Sequence, residues 1–345
     1  MYKLNELLLP VWDTDIIYAE SLTFTDGESL LMYEPDEIIS LYDSHFQTEM
    51  RRGIDYTVEG RKIKTAPGSR INSFTHEQLY PSTPIPEHSF ACEGGNLLFY
   101  EGSYFHDRQY AITYTTSKNT WSGHSPVSAR SLLPRTFSKL EQALPLTVTL
   151  FGDSISVGAN SSKFTKTPPY QMPFGEMLIA GLKEKYKSEI DFHNPSVGGK
   201  SSEWGVQTVR ENVCCRKNDL VIIAFGANDG NRTKEEFTDN ISKIICCVRD
   251  DCPETEFIIV ATSLPNPLLT DDKAKFYDNQ EYFSCAMDAL VDTGVAKADI
   301  TKMQAELLRH KRFIDITANN VNHPNDFFHR LHAQYLLSMF EYYSF

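Results

Sequence analysis

The stretch Thr147-Val148-Thr149-Leu150-Phe151-Gly152-Asp153-Ser154-Ile155-Ser156 decides how the rest of the chain is read. Its first five residues are β-branched or large and apolar, the pattern of a strand covered on both faces, as in a parallel sheet. Glycine ends the run, and Asp153-Ser154 follows where a chain leaves the carboxyl end of such a strand. In open α/β sheets ligands bind along that edge. A serine there has its backbone N–H free to face a substrate oxygen and its hydroxyl exposed. Taken alone Gly152-Asp153-Ser154 is a weak signal, because the same tripeptide serves as an ordinary turn or helix cap.

Beyond residue 144 apolar runs keep alternating with amphipathic stretches. Strands are expected over 146–151, 190–193, 220–225, 257–262 and 295–300, with helices near 174–187, 203–214, 234–249, 275–292 and 326–342. Five strands alternating with helices predict a doubly wound α/β sheet. The first part of the chain reads differently. Ile54-Asp55-Tyr56-Thr57-Val58 and Lys62-Ile63-Lys64-Thr65 flank a Glu59-Gly60 turn, and further strands are expected over 96–100 and 109–115. Short alternating strands rich in β-branched and aromatic residues predict an all-β sandwich. At 345 residues the chain exceeds what one core commonly fills. Two domains are therefore expected: a β-sandwich accessory domain over 1–140 and an α/β catalytic domain over 141–345, with residues 128–141 as linker.

Composition narrows the function. Hydrophobic residues make up 41% and charged residues 23%, the mix of a globular protein. A net charge of -13 opposes a phosphate-backbone partner, so no nucleic acid is expected. No stretch is long enough to span a membrane, and no membrane partner is expected. The start, MYKLNELLLPVWDTD, does not read as a secretory signal, which predicts cytoplasmic residence. Seven cysteines, with adjacent pairs Cys214/Cys215 and Cys246/Cys247, read as reduced thiols. None has the spacing of a zinc ligand, and no metal is expected. The oligomeric state is left open.

Three further loops carry chemistry. The second strand leads into Pro195-Ser196-Val197-Gly198-Gly199-Lys200, where backbone N–H groups can approach a reacting centre closely. The third ends in Gly226-Ala227-Asn228-Asp229, which puts an amide donor at the same edge, suited to an oxyanion. Near the C-terminus Asn322-His323-Pro324-Asn325-Asp326 precedes the last helix and offers a loop histidine as general base. Serine, glycine, asparagine and histidine thus recur in chain order, each at a strand end or before the last helix.

In these blocks the chain resembles the SGNH (GDSL) hydrolases, over roughly residues 145 to 343. The resemblance implies a three-layer α/β/α domain in which Ser154 is nucleophile, His323 general base, and Ser154 N–H, Gly199 N–H and the Asn228 amide form the oxyanion hole. With the preceding β-sandwich, of jelly-roll type, the arrangement is similar to family 2 carbohydrate esterases, the acetyl-xylan esterase type. One position departs from the pattern. The family carries an aspartate three residues before the histidine, where this chain has Asn320. The group orienting His323 is then Asn320, Asp315 or a backbone carbonyl.

Other residues have plainer readings. Asp153 is expected to fix the nucleophile loop through local backbone hydrogen bonds. His329 and His332, one turn apart, read as a plain helix face rather than a metal pair. Trp204 is either a wall of the substrate pocket or ordinary packing. The expected reaction is two-step acyl transfer, without metal or organic cofactor, on a short acyl ester of a small molecule or saccharide. The alternatives are a lipase or thioesterase, or a carbohydrate-binding protein whose hydrolase half is inactive.

Overall fold

A computed structural model describes residues 2–270 and 279–343. The antiparallel strands all precede residue 116: β1 (Ile16–Thr23), β2 (Glu28–Leu30), β3 (Glu37–Asp43), β4 (Tyr56–Glu59), β5 (Lys62–Thr65), β6 (Ser89–Cys92), β7 (Gly95–Leu98) and β8 (Gln109–Thr115), with short helices α1 (Leu4–Leu7) and α2 (His76–Leu79). They form sheets β1-β8-β3 and β2-β5-β4 and the hairpin β6-β7, as expected of an all-β sandwich. The Glu59-Gly60 turn closes β4 onto β5, with Glu59 opposite Lys62. The β6-β7 hairpin does not stand alone. Glu93 N–H donates to the Leu268 carbonyl at 2.8 Å and Thr270 N–H to the Ala91 carbonyl at 3.1 Å, so a segment from the other half of the chain extends it.

The second half holds α3 (Pro134–Glu141), β9 (Leu146–Gly152), α4 (Ser154–Val157), α5 (Phe174–Tyr186), β10 (Ile190–His193), α6 (Ser202–Asn212), β11 (Leu220–Ala224), α7 (Lys234–Asp251), β12 (Glu256–Ala261), α8 (Gln280–Met287), β13 (Val295–Asp299), α9 (Ile300–His310) and α10 (Asp326–Met339). The strands form one parallel five-stranded sheet in the order β10-β9-β11-β12-β13. Alternate residues face opposite layers. Leu220 and Ile222 pack with residues of α5, α9 and α10, and Val221 and Ile223 pack with α6, α7 and α8. The chain leaves β9 for β10 on one side and returns to β11 on the other, so the switch point lies between β9 and β11.

Two segments differ from expectation. Residues 134–141, read as linker, form α3, started by Pro134 at its first turn and turned inward at Phe137 and Leu140. Residues 300–310, of which only Ile300 was expected in an element, the end of a strand, form α9, whose Ile300, Met303, Gln304 and Leu307 are buried at helical spacing; Asp299 caps it by accepting from Lys302 N–H at 3.1 Å. Of the helix expected near 275–292, residues 275–278 lie outside the described residues, and the described part is α8.

A single apolar cluster runs through both halves. Leu22, Leu41 and Ile112 of the antiparallel sheets join Leu331 and Leu336 of α10 and Leu150 and Ile222 of the parallel sheet. Within it Lys311 Nζ meets Glu20 Oε1 at 2.6 Å, both side chains 0% exposed, and Tyr114 donates to Glu20 Oε2 at 2.7 Å. No helix among the described residues is long and apolar enough to cross a membrane.

Candidate active site

Ser154 is the first residue of α4, immediately beyond β9. Asp153 is the cap: its Oδ1 accepts from Ile155 N–H at 3.0 Å and its Oδ2 from Ala227 N–H at 3.2 Å, tying the serine turn to the loop after β11. The N–H of a first-turn residue has no partner within its helix. Gly152 is dictated by crowding, since a Cβ there would lie 2.2 Å from the Ala224 carbonyl oxygen. Burial pushes the Asp153 carboxyl up to about 7, with Asp229 adding to the rise and the two backbone donors and His323 opposing it.

The glycine loop lies against the serine. Val197 N–H donates to the Gly152 carbonyl at 3.2 Å and Gly152 N–H to Ser196 Oγ at 2.9 Å. A Cβ on Gly198 would sit 3.7 Å from the Ser154 Cβ, and Gly199 has φ +73, a conformation that favours glycine. Asn228 Nδ2 donates to the Lys200 carbonyl at 3.1 Å, and Asp229 accepts from both the N–H and the Oγ of Ser202, so the second and third loops are locked together. Trp204 packs on Phe151 and Phe225, with ring centroids at 5.6 and 6.3 Å, the ordinary packing of the two readings.

His323 arrives from the loop before α10. Its Nε2 lies 3.0 Å from Ser154 Oγ. The loop is fixed by buried Asn319, whose Oδ1 accepts from the N–H groups of Val321, Asn322 and His323 at 3.0, 2.9 and 3.0 Å. The structure therefore brings together Ser154, the Gly199 loop, Asn228 and His323. It does not bring either expected orienting side chain to the imidazole. Asn320, at φ +65, turns its amide to the Leu98 carbonyl at 3.1 Å, and its own oxygens accept from Asn266 Nδ2. Asp315 accepts from Thr23 N–H at 2.8 Å and pairs with Arg312 at 2.9 Å, so it is spent on β1.

His323 Nδ1 instead faces two residues with no sequence signal. Glu101 Oε2 is 3.2 Å away and Asn160 Oδ1 is 3.1 Å away. Glu101 Oε1 accepts from Asn319 Nδ2 at 3.1 Å. Burial would raise the Glu101 carboxyl, but hydrogen bonds from His323 and Asn319, with the charge of the imidazole, hold it below the usual carboxylate range. His329 and His332, read as a plain helix face, are buried in α10, where His332 Nδ1 meets the Phe328 carbonyl at 2.8 Å.

A sequence model of the GDSL-like lipase/acylhydrolase family matches residues 150–331. No curated protein matches the chain. Among solved structures it is similar to a two-domain esterase (CEX) active on acetylated mannans, co-crystallised with mannopentaose, at 17% identity and TM-score 0.48 over 63% of this chain and 55% of that one. The chain thus spans about half the length of that esterase. It is also similar to a catalytic mutant of Axe2, an acetylxylan esterase from Geobacillus stearothermophilus (14% identity, TM-score 0.46, 56% of this chain and 93% of that one). A third similar structure is LAE5, an alpha/beta hydrolase enzyme from the metagenome of Lake Arreo, Spain (15% identity, TM-score 0.45, 56% and 94%).

Proposed function

Because the chain belongs to the GDSL-like lipase/acylhydrolase family, whose model spans more than half of it, we propose that it hydrolyses short-chain acyl esters, acetyl esters first, carried on a saccharide. The observation that carries this reading is the 3.0 Å approach of Ser154 Oγ to His323 Nε2 at the carboxyl edge of the parallel sheet. Oγ attacks the ester carbonyl carbon while Nε2 takes its proton. The charge on the carbonyl oxygen is met by Ser154 N–H, Gly199 N–H and an Asn228 amide hydrogen. Collapse breaks the bond to the alcohol, which leaves with the proton from Nε2. Water then gives a proton to Nε2 as its oxygen attacks the acyl carbon, and the carboxylic acid departs as Oγ regains its proton.

One feature supports a polar alcohol. Glu101, Asn160 and Asn228 surround the Ser154-His323 pair with polar atoms rather than an apolar groove. The seven cysteines are free thiols, the state a reducing compartment maintains, and on that ground we place the protein in the cytoplasm.

The test compares wild type and Ser154→Ala on acetylated sugars and on octanoyl esters, with fluorophosphonate labelling alongside. Wild type is expected to be labelled, to prefer the acetyl substrates and to lose nearly all turnover in the variant. Equal or faster octanoyl turnover would make the protein a lipase or thioesterase. Turnover that survives Ser154→Ala sinks the serine mechanism, and a wild type that neither reacts nor is labelled is a carbohydrate-binding protein.

A further inference from the structure

The imidazole of a serine hydrolase needs a partner on Nδ1 that fixes its tautomer and offsets its charge after it takes the serine proton. Asn320 supplies neither here, since its amide faces Leu98 and Asn266. Leu98 is the last residue of β7, and Glu101 follows three positions later. The residue standing where the resemblance puts an aspartate thus grips the strand that delivers a glutamate.

We propose that Glu101, from the loop between β7 and β8, is the positioning carboxylate of the Ser154-His323 pair, so that the active site is completed by the antiparallel half of the chain. This rests on the esterase reading above and adds to it a residue outside the segment that the family model matches. Glu101 is tied to the histidine twice. Its Oε2 meets Nδ1 at 3.2 Å, and its Oε1 accepts from Asn319 Nδ2 at 3.1 Å, while Asn319 Oδ1 accepts from the His323 N–H at 3.0 Å. Carboxylate, amide, backbone and ring form one closed circuit, which holds the carboxylate fixed relative to the imidazole although 48% of the Glu101 side chain is exposed. The strand behind it is held from both sides, by Asn320 on Leu98 and by residues 268–270 on the β6-β7 hairpin. Asn160 Oδ1 also reaches Nδ1 and shares its hydrogen, but a neutral amide cannot stabilise an imidazolium as a carboxylate does. During the reaction Glu101 stays ionised and accepts the Nδ1–H hydrogen bond, while the serine proton moves only between Oγ, Nε2 and the leaving alcohol. Other titratable groups that interact with the charge of His323 include Asp153, the cap of the serine turn, and His329, in α10.

The experiment measures kcat, KM and the pH dependence of kcat/KM on an acetyl ester for Glu101→Gln, Asn160→Ala, and the double variant Glu101→Gln with Asn320→Asp, with Asp153→Asn as control for the second acid. Glutamine keeps an oxygen for Asn319 and nearly the same size, so a merely structural role predicts wild-type kinetics. The proposal predicts that Glu101→Gln lowers kcat by about 10² to 10⁴-fold with a smaller change in KM. It also predicts that the acidic limb moves to lower pH, because removal of the negative charge disfavours the imidazolium. Asn160→Ala is expected to lose less, and Asn320→Asp not to restore the double variant. A Glu101→Gln enzyme within threefold of wild type with an unmoved limb overturns the proposal, as does recovery by Asn320→Asp or a loss carried by Asn160→Ala instead. Failure of the esterase reading shows separately, as turnover surviving Ser154→Ala or no turnover in wild type. In that case the ring ¹³C shift of His323 decides: titration at lower pH in Glu101→Gln than in wild type supports the pairing, and coincident curves overturn it.

Discussion

A primary amide nitrogen carries two hydrogens, and at Asn228 the Lys200 carbonyl takes one of them. The second is the one assigned to the oxyanion, which exists only once Ser154 has attacked. Asn228→Ala is therefore expected to lower kcat by about 10² to 10³-fold while leaving KM nearly unchanged. Steady-state kinetics on one acetyl ester checks it, and a change confined to KM would make Asn228 a substrate-binding residue. Ser154, Gly199, Asn228 and His323 were legible in the sequence because each sits at a strand end or before a helix, so that position along the chain implies position in space. Glu101 was not. It lies in the irregular Tyr100-Glu101-Gly102-Ser103 loop, and no period or spacing marks an acid that meets its histidine only after two sheets have packed. Asn319 carried no sequence signal either. It and Asn320 are both short buried amides in the histidine loop, and in the fold Asn319 faces Glu101 and His323 while Asn320, at φ +65, faces Leu98.

Helix α10 shows how an element can be located from the sequence while its surroundings stay unread. Its extent agrees with the pattern over 326–342, but the polar residues His329, Arg330, His332 and Gln334, which suit a solvated face, are all buried. The antiparallel half covers two of them, with Arg330 donating to the Tyr18 carbonyl at 2.9 Å and Gln334 Nε2 to the Leu7 carbonyl at 3.0 Å, while His329 and His332 lie against Phe174 of α5 with ring centroids at 6.2 and 5.6 Å. Burial pushes the two imidazoles down, His329 to about 3 and His332 to about 4, so both are neutral in the fold. An unfolded histidine takes a proton near 6.5. Their stabilising contribution is thus complete above that pH and is lost as pH falls toward those lower values. The carboxyls of Asp153, Asp229 and Asp326, all raised by burial, act in the opposite sense, so the histidine contribution is best isolated by a variant. Thermal unfolding of wild type and His332→Leu is expected to diverge between pH 6.5 and 4, with wild type losing up to about 1.4 kcal/mol more per pH unit. Parallel curves would show that His332 is not held neutral.

At the scale of the whole molecule, the change of pattern near residue 140 marks where antiparallel pairing gives way to parallel pairing. In the sequence that change reads as the boundary between a domain over 1–140 and one over 141–345, because composition registers which strands pair. The apolar cluster continues across that point, and Glu20 of β1 is buried against Lys311, a contact that no sequence spacing announces. We therefore expect residues 1–140 and 141–345 to unfold together, in one calorimetric transition. Lys311→Met tests the coupling directly. The methionine fills similar space but leaves Glu20 buried without its cation, while Tyr114 and the Met32 N–H at 2.8 Å remain as donors to it. Breaking a buried pair on one side costs about 3 to 5 kcal/mol, so the single transition should move to clearly lower temperature. Adding Glu20→Gln removes the stranded charge, and the double variant should recover part of that loss, as expected for residues in direct contact. Two resolved transitions, with only one displaced by Lys311→Met, would instead show two domains that fold independently and merely adjoin. Glu101 would then reach His323 across a surface free to open, and ester turnover in Lys311→Met should fall as the halves part, before either has unfolded.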